Sequence, residues 1–217
     1  MTANRELQER VLQALEFEPS VDAAKIGVTA HDGVITLQGS VPTFLEKWAA
    51  ERAVGHVFGV RALANDLEVL PGHDGHRTDT AIAEAAANAL SWDAAVPAAS
   101  VQATVTNGWV ALSGNVPWQY QRDAAERTVR RLYGVKGITN SIALKPQVHL
   151  SDIKAGIEAA FKRSAEIDAK NVHVDARDGQ VFLTGAVHSW SERKQAERAA
   201  WSAAGVTKVE DHLLVTP

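Results

Sequence analysis

The chain has 217 residues, with 22 basic and 26 acidic side chains, a net charge of −4 and no cysteine. That balance excludes the basic footprint of a nucleic-acid binder, and the missing thiol excludes disulfide staples and cysteine nucleophiles. No uninterrupted apolar run approaches the roughly 18 residues of a spanning helix, and Met1-Thr2-Ala3-Asn4-Arg5-Glu6 lacks the apolar stretch of an export signal. The expected location is therefore cytoplasmic as the sequence stands, or periplasmic if a leader precedes it.

Leu7, Val11, Ala14 and Leu15 are spaced as the apolar stripe of an amphipathic helix. Pro19 and its polar neighbours end that helix. Ile26, Val28 and Ala30 then alternate as a half-buried strand. Asp32-Gly33 follows, a strong hairpin signal because both central residues of a type I′ turn need positive φ. Beyond it Ile35, Leu37, Gly39 and Val41 share one side of a second strand. Pro42 cannot extend a ladder and suits the start of a helix. That second helix is expected to bury Ala50, Ala53 and Val57 and to be closed by Gly59. A third strand over Leu63 to Val69 completes the unit.

The whole pattern then returns twice. The turn glycines lie at 33, 108 and 179, offsets of 75 and 71 residues. At those offsets the first helix reappears as Ile82, Ala86, Ala89 and Leu90, then as Ile153, Ile157, Ala160 and Phe161. Thr78 or Asp79 and Ser151 are its expected N-caps. The hairpin reappears at Asn107-Gly108 and Asp178-Gly179. The second helix is expected to bury Ala125, Thr128 and Leu132, then Ala196, Ala199 and Ala203, with Gly134 and Gly205 closing it. The last strands are Ile138 to Leu144 and Val209 to Val215. The predicted class is α+β: three tandem αββαβ units over 1–70, 77–146 and 147–217. Each is a three-stranded mixed sheet with two helices on one face, its parallel pair joined by a right-handed crossover. Pro71 to His76 and Pro146-Gln147-Val148 are the links, the second short enough to hold the last two units in a defined relation.

The run Asp/Asn-Gly, Val-x-Leu-x-Gly-x-Val, a helix carrying Ala-Glu-Arg, Gly-Val and a final Asn-x-Leu/Ile resembles the BON domain, also called the transport-associated domain. Asn65-Asp66-Leu67 and Asn140-Ser141-Ile142 fit its closing motif, whereas Asp211-His212-Leu213 replaces the Asn. The resemblance implies the αββαβ fold in three tandem copies and a non-enzymatic module without fixed catalytic residues. It also implies a stress-related role with three possible forms: binding of anionic phospholipid or of protein, a chaperone-like role, or cytosolic potassium sensing.

The residues themselves offer little chemistry. His73 and His76 sit in a Gly-rich link with only Asp74 nearby, fewer ligands than a metal site needs. The other histidines are scattered and form no H-E-x-x-H pattern, so neither metal nor cofactor is expected. The adjacent pairs Glu51-Arg52, Glu126-Arg127 and Glu197-Arg198 cannot face one another on a helix; they read as a solvated face or as contacts to a neighbouring unit. Aromatics say more. Phe44, Leu45, Trp118, Tyr120 and Trp190 cluster where the second helices begin, beside free N–H groups. They fit a contact edge for a lipid headgroup or a partner chain, or else a hydrophobic staple. Trp109 and Phe182 point away from the buried side of their strands, as inter-unit packing or self-association would require.

Overall fold

A computed structural model of the chain describes residues 2–72, 77–97, 99–145, 153–163 and 171–216. Ser151 and the link at 146–148 lie outside them, as do His73, His76 and His149. Unit 1 runs α1 (Thr2–Glu16), β1 (Ile26–His31), β2 (Val34–Val41), α2 (Phe44–Gly55) and β3 (Ala62–Val69). Unit 2 runs α3 (Asp79–Trp92), β4 (Val101–Thr106), β5 (Trp109–Val116), α4 (Gln119–Arg130) and β6 (Gly137–Leu144). Unit 3 runs α5 (Ile153–Arg163), β7 (Val172–Arg177), β8 (Gln180–Val187), α6 (Trp190–Trp201) and β9 (Lys208–Val215). Each sheet has three strands with the second in the middle, antiparallel to the first and parallel to the third.

The hairpins form as the turn chemistry demands. Asp32 and Gly33 have φ of 48° and 82°, and the turns at Asn107-Gly108 and Asp178-Gly179 match them. The helix that opens the unit clasps this turn. Asn4 accepts the Asp32 N–H at 3.0 Å, and its counterpart Asp79 accepts from Asn107 and Gly108 at 2.7 and 2.8 Å. Thr78 caps α3 by accepting from the Ala81 N–H. A glycine is obligatory at 39, where φ is +126° and a Cβ would sit 2.2 Å from the Lys25 carbonyl oxygen.

Each unit holds its own core. Leu7, Val11 and Leu15 of α1 meet Ile35, Leu37 and Val41 of β2, and the second and third units repeat this with Ile82, Leu90 and Leu112 and with Ile157, Phe161 and Leu183. The buried face of the second helix corrects the expectation. Ala49, Ala50 and Val54 are buried in α2, Ala124, Ala125 and Val129 in α4, and Ala196 and Ala200 in α6. Ala53, Thr128 and Ala199 stand at the edge of that face, and Val57, Leu132 and Ala203 come after the helix has ended. Gly59, Gly134 and Gly205 do adopt positive φ, but a further turn separates them from the helices, so they close that turn and not the helix itself.

Of the Glu-Arg pairs, the glutamates bond within their own units, Arg52 pairs with Glu18, and Arg127 and Arg198 stay exposed. Glu51 and Glu126 accept from the side chains of Asn65 and Asn140 on the third strand. In unit 3 the strand residue is Asp211, which would repel Glu197; Arg193 bonds it at 2.7 Å and Glu197 pairs with Lys194. The basic residues at repeat-equivalent positions, Lys47, Arg122 and Arg193, all reach a carbonyl of that strand, at Leu67, Asn140 and Asp211 respectively.

Candidate contact surface

The N-cap positions of the second helices are Thr43, Trp118 and Ser189. Thr43 and Ser189 accept the N–H of Glu46 and Glu192 through their hydroxyls, at 3.2 and 3.1 Å. An indole offers no acceptor, so α4 is closed from one side only, by Gln121 taking the Trp118 N–H at 3.1 Å. Trp118 and Tyr120 instead form an open aromatic pair with ring centroids 6.5 Å apart, 39% and 56% exposed. Leu45 occupies the position of Tyr120 in unit 1 and is 39% exposed.

The next position along behaves differently. Phe44 and Trp190 are half-buried at the start of α2 and α6. Phe44 packs against its own core and that of unit 2, and Trp190 packs against the core of unit 1. The five expected contact residues therefore divide: Trp118, Tyr120 and Leu45 face solvent, while Phe44 and Trp190 join units. A further junction lies nearby. The Arg130 guanidinium of α4, itself buried, stacks 4.2 Å from the ring centroid of Trp48 in α2, and Glu126 holds it from below. A partly desolvated pair of this kind contributes about 1–2 kcal/mol. Nothing in the repeat pattern announces it, because Trp48 has Asp123 and Lys194 as its counterparts.

Trp109 lies on its own sheet. Its ring covers Gly137 on the neighbouring strand, its indole N–H donates to Thr139 Oγ1 at 2.8 Å, and it stays half exposed. Phe182 is half-buried on the equivalent open face of unit 3, between Asp175 and Glu210 on the flanking strands.

Two rings with no role in the sequence pattern above are the most exposed large apolar side chains among the described residues. Phe17, just beyond α1, is 90% exposed, and Trp92, the last residue of α3, is 88% exposed. They are repeat counterparts, and that correspondence was the signal available: an aromatic two residues beyond the apolar stripe in units 1 and 2. Both stand on fixed ground. The next residue, Glu18 or Asp93, is again a counterpart pair and ties the loop to the second helix. Glu18 bonds Arg52 at 2.8 Å, and Asp93 accepts from the Thr128 hydroxyl. The hydrogen bonds from Ser20 and then Arg52 hold Glu18 below the ordinary carboxylate range, and those from Thr128 and the Ala95 N–H do the same for Asp93. Asp123 moves the other way: it keeps an exposed edge, yet the surrounding protein desolvates it enough to raise its pKa, against the hydrogen bond from Gln119. Among the described residues no group of three or more His, Asp or Glu side chains converges to hold a metal ion, and no helix is long and apolar enough to cross a membrane.

The model of the BON domain matches residues 3–71, 78–146 and 149–217. The chain belongs to the BON-domain family. Among curated proteins it is 30% identical over 140 residues to the osmotically-inducible protein Y of Escherichia coli, a match covering 63% of this chain and 70% of that one. It is 28% identical over 164 residues to the outer membrane lipoprotein DolP of Haemophilus influenzae, covering 72% of this chain and 84% of that one. Among solved structures, CdsD, a structural protein of the Chlamydia trachomatis type III secretion system, is 16% identical with a TM-score of 0.28. That match covers 98% of this chain and 93% of that one, and nothing here rests on it. This BON-domain chain thus carries the family fold three times, with its bare aromatics on units 1 and 2.

Proposed function

We propose that this BON-domain protein is a non-catalytic, stress-related binding module. Its first two units present aromatic side chains to a phospholipid surface or a protein partner. The observation that carries the reading is the near-complete exposure of Phe17 and Trp92 at equivalent, pinned positions. Large rings left in water are unfavourable unless another surface covers them, and Trp suits a boundary that is part apolar and part wet. The exposed Trp118–Tyr120 pair extends the same idea to a helix start that has given up its hydroxyl cap. Glu16, Glu18 and Asp93 beside the rings disfavour purely electrostatic attraction to anionic lipid, so the contact rests on the rings. Two relatives support the setting: one is osmotically inducible and the other is an outer membrane lipoprotein. An envelope location goes with this reading in place of the cytoplasmic expectation.

The test is sedimentation with phosphatidylglycerol-containing and with zwitterionic vesicles, for the native chain and for a Phe17→Ser, Trp92→Ser, Trp118→Ser variant. The native chain is expected to bind one or both vesicle types and the variant to stay in solution. A variant that binds as well as the native chain overturns the assignment of these rings. Native protein that ignores vesicles but prevents a client from aggregating, by way of the same rings, selects the chaperone-like alternative.

A further inference from the structure

The three units are joined unequally. The extensive packing between helices and strands lies within units. Units 1 and 2 are nevertheless tied by Phe44 in both cores and by Arg130 stacked on Trp48. Unit 3 reaches unit 1 through Trp190, the first residue of α6. The Arg193 guanidinium lies over that indole, 5.3 Å from the ring centroid, and Arg193 is anchored to β9 through Asp211. Trp190 is thus fixed firmly in its own unit and laid against the other. Its seat is imperfect: the Nε1–H is buried and, among the described residues, has no hydrogen-bond acceptor. A buried, unpaired donor weakens whatever contact buries it, by roughly five- to hundredfold in an equilibrium constant.

We propose that Trp190 is a detachable latch, closing unit 3 onto unit 1 and releasing it without unfolding either. Two features of the contact argue for release. It is apolar, so it can part and re-form without breaking an ion pair. Water also gives the indole N–H in the open state the hydrogen bond that it lacks in the closed one. Opening bares Trp190 together with its seat on unit 1, adding an aromatic to the exposed set only in that state. Units 1 and 2, held by the Arg130–Trp48 stack, stay together throughout.

The experiment uses the full chain. Because it has no cysteine, spin labels placed at Gln38→Cys and Thr184→Cys, both exposed strand positions in units 1 and 3, report one distance by pulsed electron spin resonance. The native chain is expected to give a closed distance and a minor longer one, the longer growing in sub-denaturing urea before circular dichroism changes. Trp190→Ala should make the longer distance dominant while the dichroism stays native. Trp190→Phe keeps a ring in the seat and removes the unpaired donor, and should stay closed. A single unchanged distance in all three proteins, or Trp190→Phe opening as fully as Trp190→Ala, overturns the latch. A control pair of labels at Gln38→Cys and Ser113→Cys, across units 1 and 2, should not respond to Trp190→Ala; if it does, the change is a general loosening and the proposal fails.

Discussion

Trp118 offers a test in which stability and binding separate. Units 1 and 3 cap their second helices with Thr43 and Ser189, whose hydroxyls accept an N–H at 3.2 and 3.1 Å. Unit 2 places an indole there and keeps only the reach-back bond from Gln121. Replacing Trp118 by Ala and by Ser removes the same ring in both cases, so any loss of packing is common to the two. The difference between them isolates the cap. A hydroxyl at this position stabilises a helix by about 1 kcal/mol relative to Ala, with a range of 0.5–2. If unit 2 melts as a unit of its own size, that corresponds to roughly 4–8 °C between the two melting temperatures. Calorimetry or far-ultraviolet dichroism melts measure it, and vesicle sedimentation runs on the same samples. The Ser variant is expected to melt above the Ala variant while both lose the same fraction of binding. Equal melting temperatures would refute the account of the cap, and undiminished binding in both would refute the assignment of a contact role to the indole.

Three further outcomes follow from the described contacts. Gly137→Ala places a Cβ 2.4 Å from the Trp109 ring and should cost about 1–3 kcal/mol by overpacking, whereas the same change in a Trp109→Ala background should be close to silent in a denaturant melt. Asn140→Asp sets a carboxylate against Glu126, now 3.1 Å from the Asn140 amide; a loss of roughly 1–3 kcal/mol is expected in a denaturant melt. Glu18 and Asp93 have folded-state pKa values held below their ordinary ones, so the stability they contribute is present above the unfolded carboxylate pKa and is lost as pH falls through the folded one. Hydrogen exchange followed down an acid titration should therefore show the loops after α1 and α3 loosening fully only below the ordinary carboxylate range, and Asp93→Asn should remove the pH dependence at the second.

The hairpins were readable because their cause is local: Asp32-Gly33 and its repeats need two positive φ angles, and few other dipeptides supply them cheaply. The parallel third strand was readable because a helix of fixed length must connect it. The phase of the second helix was not. Its sequence in unit 1, FLEKWAAERAVG, gives small residues at several angles, and alanine is too weakly apolar to set a phase by itself. Two buried acids, Glu46 and Glu192, went unforeseen for a related reason: glutamate counts as a surface residue until a backbone N–H is found waiting for it, here those of Asp22 and His188. The contacts between units were the least legible. Periodicity reports what repeats, and Trp48, Arg130 and Trp190 are places where the repeats differ.

That difference carries the functional argument. Where the three units agree, the residues serve folding: the turn pairs, the strand glycines, the basic side chain of the second helix on a carbonyl of the third strand. Where they disagree, the residues face outward or across. The first residue of the second helix is Phe44, Gln119 or Trp190, and the two aromatic versions are spent on joining units. Unit 2, with Gln119 there, spends no ring in this way and keeps Trp118 and Tyr120 free beside it. The residue two beyond the apolar stripe of the first helix is bare in units 1 and 2, as Phe17 and Trp92, whereas unit 3 has Arg163. Unit 3 lacks both kinds of open ring and supplies the latch. A copied fold thereby divides its labour by exchanging single side chains at fixed addresses. Moving an aromatic from one address to its counterpart, Gln119→Trp for instance, should add a further contact between units, which spin labels at Ser113→Cys and Thr184→Cys, across units 2 and 3, would register as a shorter, narrower distance.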